Sequence, residues 1–218
     1  GRFIDELFEN RVTLITTSNT HPDNLYKDGL HRSRFIPAIE SIKENCEIFE
    51  LDSAQDYRLR TLEQLEIFVI ESEGKSIEKL ESNFSELTNN EYKENKNIQI
   101  LGRKIKTIKL SKGSVWMSFQ EICEGPRSAK DYIEVCSEFH TVFVSGVPIM
   151  NENNSDAARR FIALVDECYE RNVNLILSLE ANLNEIYRGN RLAEPFKRTL
   201  SRLEEMRSRE YLSRPHLI

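Results

Sequence analysis

Ser18-Asn19 closes an apolar, β-branched run, Val12-Thr13-Leu14-Ile15-Thr16-Thr17. Read as a buried strand, this run puts the pair at its carboxyl end, the edge where open α/β sheets hold ligands. A neutral amide there can orient a water and touch a phosphate oxygen without competing for its proton. The plainer reading is that Asn19 turns the chain into the following loop. Arg32 and Arg34 stand two residues apart just before an apolar helix, in Gly29-Leu30-His31-Arg32-Ser33-Arg34-Phe35-Ile36-Pro37. A guanidinium is planar and permanently charged. It suits the spread charge of a phosphoryl-transfer transition state, including one on a neighbouring subunit. The alternative is a solvated helix N-terminus, where cations are slightly unfavourable.

Other polar clusters read more plainly. Asp56-Tyr57-Arg58-Leu59-Arg60 is an ion-pair network or a contact surface. Gly125-Pro126-Arg127-Ser128 opens a helix whose N-terminus could hold an anion, although a structural turn explains it as well. Arg159-Arg160 and Arg198…Arg202 place cations on helices, where a solvated or ion-paired face is the default. Asp166-Glu167 resembles a magnesium-binding acidic pair but falls inside a helix rather than at a strand end. No G-x-x-x-x-G-K-[ST] loop is present to cradle phosphates. Nor is there a GxSxG, an HExxH or a Cys/His nucleophile arrangement. Cys46, Cys123, Cys136 and Cys168 are scattered without a CxxC pair, and His21, His31, His140 and His216 are equally dispersed. Reduced thiols and no metal site are expected.

These residues need elements to position them. Phe3, Ile4, Leu7 and Phe8 recur at helical spacing. After the strand Val12–Thr17 come a Pro-containing loop, a short helix near Asn24–Tyr26, a helix over Arg34–Asn45 and a candidate strand over Cys46–Leu51. Glu71–Asn97 is rich in Glu, Lys, Asn and Ser and is expected to form an exposed helix and then a polar loop. Ile98–Ile105, Lys106–Leu110 and Ser114–Phe119, with Gly102 and Gly113, suggest a β-meander. The last hundred residues alternate. Helices are expected over Ser128–Phe139 (capped by Ser128), Asp156–Arg171, Asn182–Tyr187 and Pro195–Arg209, with strands over Thr141–Val147 and Val173–Leu179. Such alternation predicts an α/β fold with a parallel sheet under covering helices. The pattern Asp5-Glu6…Glu9…Val12…Leu14-Ile15…Tyr26 reappears without a gap as Asp166-Glu167…Glu170…Val173…Leu175-Ile176…Tyr187. Either similar burial has produced similar patterns twice, or half of a core has been duplicated.

Composition narrows the function classes. Hydrophobic residues make up 39% of the 218 and charged residues 30%, as in a soluble protein with a core. A net charge of −6 argues against a broad nucleic-acid-binding surface. No apolar run approaches the roughly 18 residues that a membrane span needs, and no secretory leader is visible.

Taken in order, several segments resemble the ZapE-like family of AAA+ cell-division ATPases and its mitochondrial relatives. They are Val12-Thr-Leu-Ile-Thr-Thr-Ser-Asn19, His21-Pro-Asp-Asn-Leu-Tyr26, Arg32-Ser-Arg-Phe-Ile-Pro-Ala-Ile39 and Asp56-Tyr-Arg-Leu-Arg60. Further on come Gly125-Pro-Arg-Ser128, Ala157-Ala-Arg-Arg-Phe-Ile-Ala-Leu-Val-Asp-Glu167, Arg198-Thr-Leu-Ser-Arg-Leu-Glu-Glu-Met206 and the closing Glu210-Tyr-Leu…His216-Leu. The resemblance is weakest across Glu71–Asn97.

It implies the C-terminal part of a P-loop AAA+ core, plus a second α/β unit with a small β-rich insertion. Residues 1–60 would be the partial core, 61–124 a helical and β-meander insertion, and 125–218 a C-terminal α/β domain. Walker A and Walker B motifs would precede Gly1, so this chain alone is expected not to hydrolyse ATP. By the resemblance, Asn19 is the sensor-1 residue. Arg34 is the first candidate for a trans-acting arginine finger and Arg32 the second. Ser18, Asn19, Arg159 and Arg160 would contact nucleotide. The family implies ATP with Mg2+, a homo-oligomer, a bacterial division-ring partner and a cytoplasmic location.

Overall fold

The computed structural model describes residues 2–18, 20–25, 32, 35–49, 57–71 and 75–217. The chain divides into two compact units, Gly1–Ala54 and Gln55–Ile218.

In the first unit, α1 (Arg2–Glu9) packs against α2 (Ile36–Asn45), with a 3-10 turn at Pro22–Asn24 between them in sequence. Pro37 sits in the first turn of α2, where its missing N–H costs nothing. The strand expected over Val12–Thr17 is not found. Residues 12–18 form no strand, Ile15 is 91% exposed, and no ladder partner exists among the described residues. A strand is defined by its neighbours, and an apolar β-branched run cannot become one alone. Residues 46–49 likewise form no strand, and the rest of that expected element lies outside the described residues.

The second unit is α/β. Its six-stranded sheet has the order β1-β8-β7-β6-β5-β2, built from β1 (Phe68–Ile70), β2 (Lys93–Glu94), β5 (Lys109–Ser111), β6 (Ser114–Ser118), β7 (Thr141–Val147) and β8 (Asn174–Leu179). The first four strands in that order are parallel, and β5 and β2 extend the sheet antiparallel. A separate hairpin joins β3 (Asn97–Ile100) to β4 (Arg103–Lys106). The strands lie on both sides of residue 124, so one sheet draws on both segments expected there. Of the expected meander, β5 and β6 form an antiparallel hairpin, and β6 runs parallel to β7 along its other edge.

Helices cover the sheet. Every residue of β8 is buried, as a parallel strand between helical layers must be. α4 (Ser76–Leu87) packs on β1, β7 and β8. Its Ile77 is exposed, but Leu80 and Phe84 are fully buried, so this polar stretch keeps an apolar face. Phe84 meets Phe143 edge-on at 5.0 Å and Trp116 at 6.1 Å. α6 (Ser155–Glu170) lies between α5 (Ala129–Glu138) and α7 (Ala193–Met206) and packs on β8. α3 (Tyr57–Gln64) packs on α4 and on the short α8 (Arg209–Leu212). The helix expected over Asn182–Tyr187 is only a 3-10 turn, Leu183–Glu185.

Candidate functional site

In the first unit, α1 leads into the segment 12–18, the 3-10 turn follows, and α2 closes the unit. The Ser18 hydroxyl donates to the Thr20 carbonyl at 2.9 Å and accepts from the Thr20 N–H at 3.1 Å, which bends the chain at that point. Asn19 and Arg34 lie outside the described residues. Arg32 donates through a terminal nitrogen to the Asp23 carbonyl at 2.7 Å, while its Nε is buried without a hydrogen-bond partner.

Asp23 is a hub that sequence reasoning missed. Its carboxylate accepts from Lys43 of α2 at 2.6 Å, its N–H donates to His21 Nδ1 at 3.3 Å, and its carbonyl holds Arg32. The Lys43 hydrogen bond holds the Asp23 carboxyl below its ordinary range against the opposing effect of desolvation, with help from the charges of Lys43, His21 and Arg32. The available signal was an acid in the first turn after Pro22, where it favours a helical start. A cavity of about 1080 Å³ is lined by residues 12–18 on one hand and 46–49 on the other, with Phe8 and Ile42.

Arg159 and Arg160 belong to the second unit, on α6. Arg160 donates to the Cys123 carbonyl at 3.1 Å, which ties α6 to the π-helical turn Gln120–Glu124. Arg159 points from the exposed side of α6. The remaining clusters are structural. Arg198 and Arg202 both grip Asp166, at 3.0 and 2.5 Å, so Asp166 joins α6 to α7, while Glu167 pairs with Arg171 at the end of its own helix. Arg127 binds the Glu121 side chain at 2.8 Å, and Arg103 donates to the Pro126 carbonyl at 2.8 Å, which makes Gly125–Ser128 a braced turn. Cys123, Cys136 and Cys168 are buried free thiols. Burial raises the Cys123 thiol well above its usual range and keeps it unreactive. Among the described residues no group of three or more His, Cys, Asp or Glu could hold a metal ion, and no helix is long and apolar enough to cross a membrane.

Comparison with known proteins adds what this geometry lacks. Residues 1–215 match the family described as AFG1-like ATPase. The cell division protein ZapE of Escherichia coli K12 is 42% identical over 217 residues, covering all of this chain and 58% of that protein. Lactation elevated protein 1 homolog B of Danio rerio is 33% identical over 189 residues, which is 85% of this chain and 37% of that protein. The chain thus spans less than two thirds of the length of these relatives. No solved structure matches it.

Proposed function

Because the chain belongs to the AFG1-like ATPase family, we propose that it is the C-terminal part of an ATP-hydrolysing AAA+ protein that works as a nucleotide-driven, oligomeric remodelling factor. The observation that carries this reading is the family match along almost the whole chain. Residues 1–60 are then the partial core, with Asn19, which follows the apolar run Val12–Thr17 in sequence, as sensor 1. Its amide orients the attacking water without taking the proton. Arg34 reaches the nucleotide of a neighbouring subunit, and Arg32 is second for that role. Ser18, Arg159 and Arg160 are assigned lesser contacts.

ATP with Mg2+ supplies the bond to be cut and the charge that neutralises its phosphates. One feature of this chain fits an anion on this side: Arg32 keeps a buried Nε with no partner of its own. None of the Mg2+ ligands is assigned to this chain, which alone is inactive. A cytoplasmic bacterial location and a division-ring partner are proposed after the name of the E. coli relative.

The test is steady-state ATP hydrolysis by the full-length protein and its Arg34→Ala variant. Loss of an arginine finger lowers turnover by about 10³-fold or more. Unchanged oligomer-dependent turnover sinks the assignment. A second reading is an assembly module without activity of its own, favoured by the self-contained sheet of the second unit. Retained capture of the division-ring partner by this chain alone would select it.

A further inference from the structure

The repeated pattern noted in the sequence extends to the backbone at one constant offset of 161 residues. α1 ends at Glu9 and α6 at Glu170. The left-handed residue that follows is Arg11 (φ 55°) in one case and Asn172 (φ 54°) in the other. Val12 N–H donates to the Leu7 carbonyl, and Val173 N–H to the Cys168 carbonyl. The 3-10 turns are Pro22–Asn24 and Leu183–Glu185, preceded by His21 and Asn182 with φ of −56° each. α2 ends at Asn45 and α7 at Met206. Phe35 and Phe196, and Glu44 and Glu205, extend the sequence identity. Convergent α/β units differ in loop length by several residues. An ungapped match through a helix end, a turn, a 3-10 turn and a second helix end is not expected from convergence.

We infer that residues 2–45 and 163–206 are two copies of one α/β unit, and that the second copy has closed its ligand edge with this chain's own carboxylates, leaving one nucleotide site per polypeptide. That last step rests on the ATPase reading above. Three observations support the closure. Glu180 occupies the place of Asn19, and its carboxylate accepts the Ile149 N–H at 2.7 Å. Ser178 Oγ accepts the Gly146 N–H at 2.8 Å and donates to the Glu71 carboxylate at 3.2 Å. Finally, β1 is followed in sequence by Gly74-Lys75-Ser76, and α4 starts at Ser76, as after a phosphate-binding loop. The first glycine of such a loop would fall at residue 69, where Val69 is buried within β1, and the Glu71 carboxylate stands at the end of that strand, where phosphate oxygens would need donors. Carboxylates at that edge repel phosphate. The first copy, by contrast, ends its run with neutral Ser18-Asn19. The residues Thr13–Ser18 correspond to β8, a central strand with β1 on one edge and β7 on the other.

Two measurements on the full-length protein test this. Calorimetric titration with Mg-ADP is expected to give one molecule per chain, and Glu180→Gln, which keeps an acceptor for Ile149, is expected to leave the affinity within 2-fold. A stoichiometry of two, or a loss of 10-fold or more in Glu180→Gln, overturns the closure. No binding at all would sink the ATPase reading while agreeing with a closed second copy. Hydrogen exchange is expected to protect the amides of residues 13–18 as strongly as those of 174–179. Loop-like exchange at 13–18 overturns the duplication.

Discussion

His140 sits at the junction of α5 and β7, half-buried, with Nδ1 2.9 Å from Thr141 Oγ1. Burial, and then the nearby charges of Arg58 and His216, lower its pKa from 6.5 to about 4. The unfolded chain therefore takes up this proton more readily than the folded one. Stability is full above about pH 6.5, falls as the pH drops towards 4, and levels off below that. One such proton gives a slope of up to about 1.4 kcal/mol per pH unit. Urea midpoints at pH 7 and pH 4.5 should differ more in the native protein than in His140→Gln. Equal differences would show that the imidazole is not the titrating group. The sequence could not give this behaviour, because a dispersed histidine has no signature until burial sets its environment. The same holds for Asp23, whose three partners are brought together only by the turn and α2. Ser128 was different. Its type, at the head of a helical run, declared a helix start, which the structure bears out.

The start of α5 shows how one helix end is held. Asp131 is fully buried and accepts from the Ser128 N–H at 2.7 Å and the Ser128 hydroxyl at 2.8 Å. Arg103 of β4 also donates to it, which fastens the hairpin to the helix. Asp131→Ala removes the cap and the carboxylate partner of Arg103, which keeps its bond to the Pro126 carbonyl. Arg103 is 41% exposed and can turn to solvent, so the cost is dominated by the cap and the lost buried acceptor. A loss of about 2–3 kcal/mol in unfolding free energy is expected. A change below about 0.5 kcal/mol would mean that the cap does not hold α5. Elements were legible where local signals and neighbours agreed. β7 has the bounds its apolar run suggested, and β8 starts one residue late. Where neighbours were needed, the reading failed. Val12–Thr17 has as good a strand composition as β8, yet only β8 has a parallel partner on each side.

At the scale of the whole molecule, the two copies separate composition from burial. Ile15 and Ile176 occupy the same place in the repeated pattern, yet Ile15 is 91% exposed and Ile176 fully buried. The α/β class was readable from alternation, because helices and strands each announce their period. The strand order was not, since it depends on which distant strand lies beside which. The single tryptophan, Trp116, is buried in the second unit and packs on Phe84 and Phe143, so its fluorescence reports that core. Ile176→Ala deletes fully buried methyl and methylene groups from the central strand and should destabilise the second unit by about 2–5 kcal/mol. Ile15→Ala in the same 218-residue chain removes only exposed surface and should change the unfolding free energy, followed by far-ultraviolet circular dichroism, by less than about 0.5 kcal/mol. In the full-length protein, where residues 13–18 take the place of a central strand, Ile15→Ala should be destabilising, as read by far-ultraviolet circular dichroism. An Ile15→Ala change as large as that of Ile176→Ala in the 218-residue chain would show that Ile15 is already buried there. The segment would then not be the open strand of an incomplete copy.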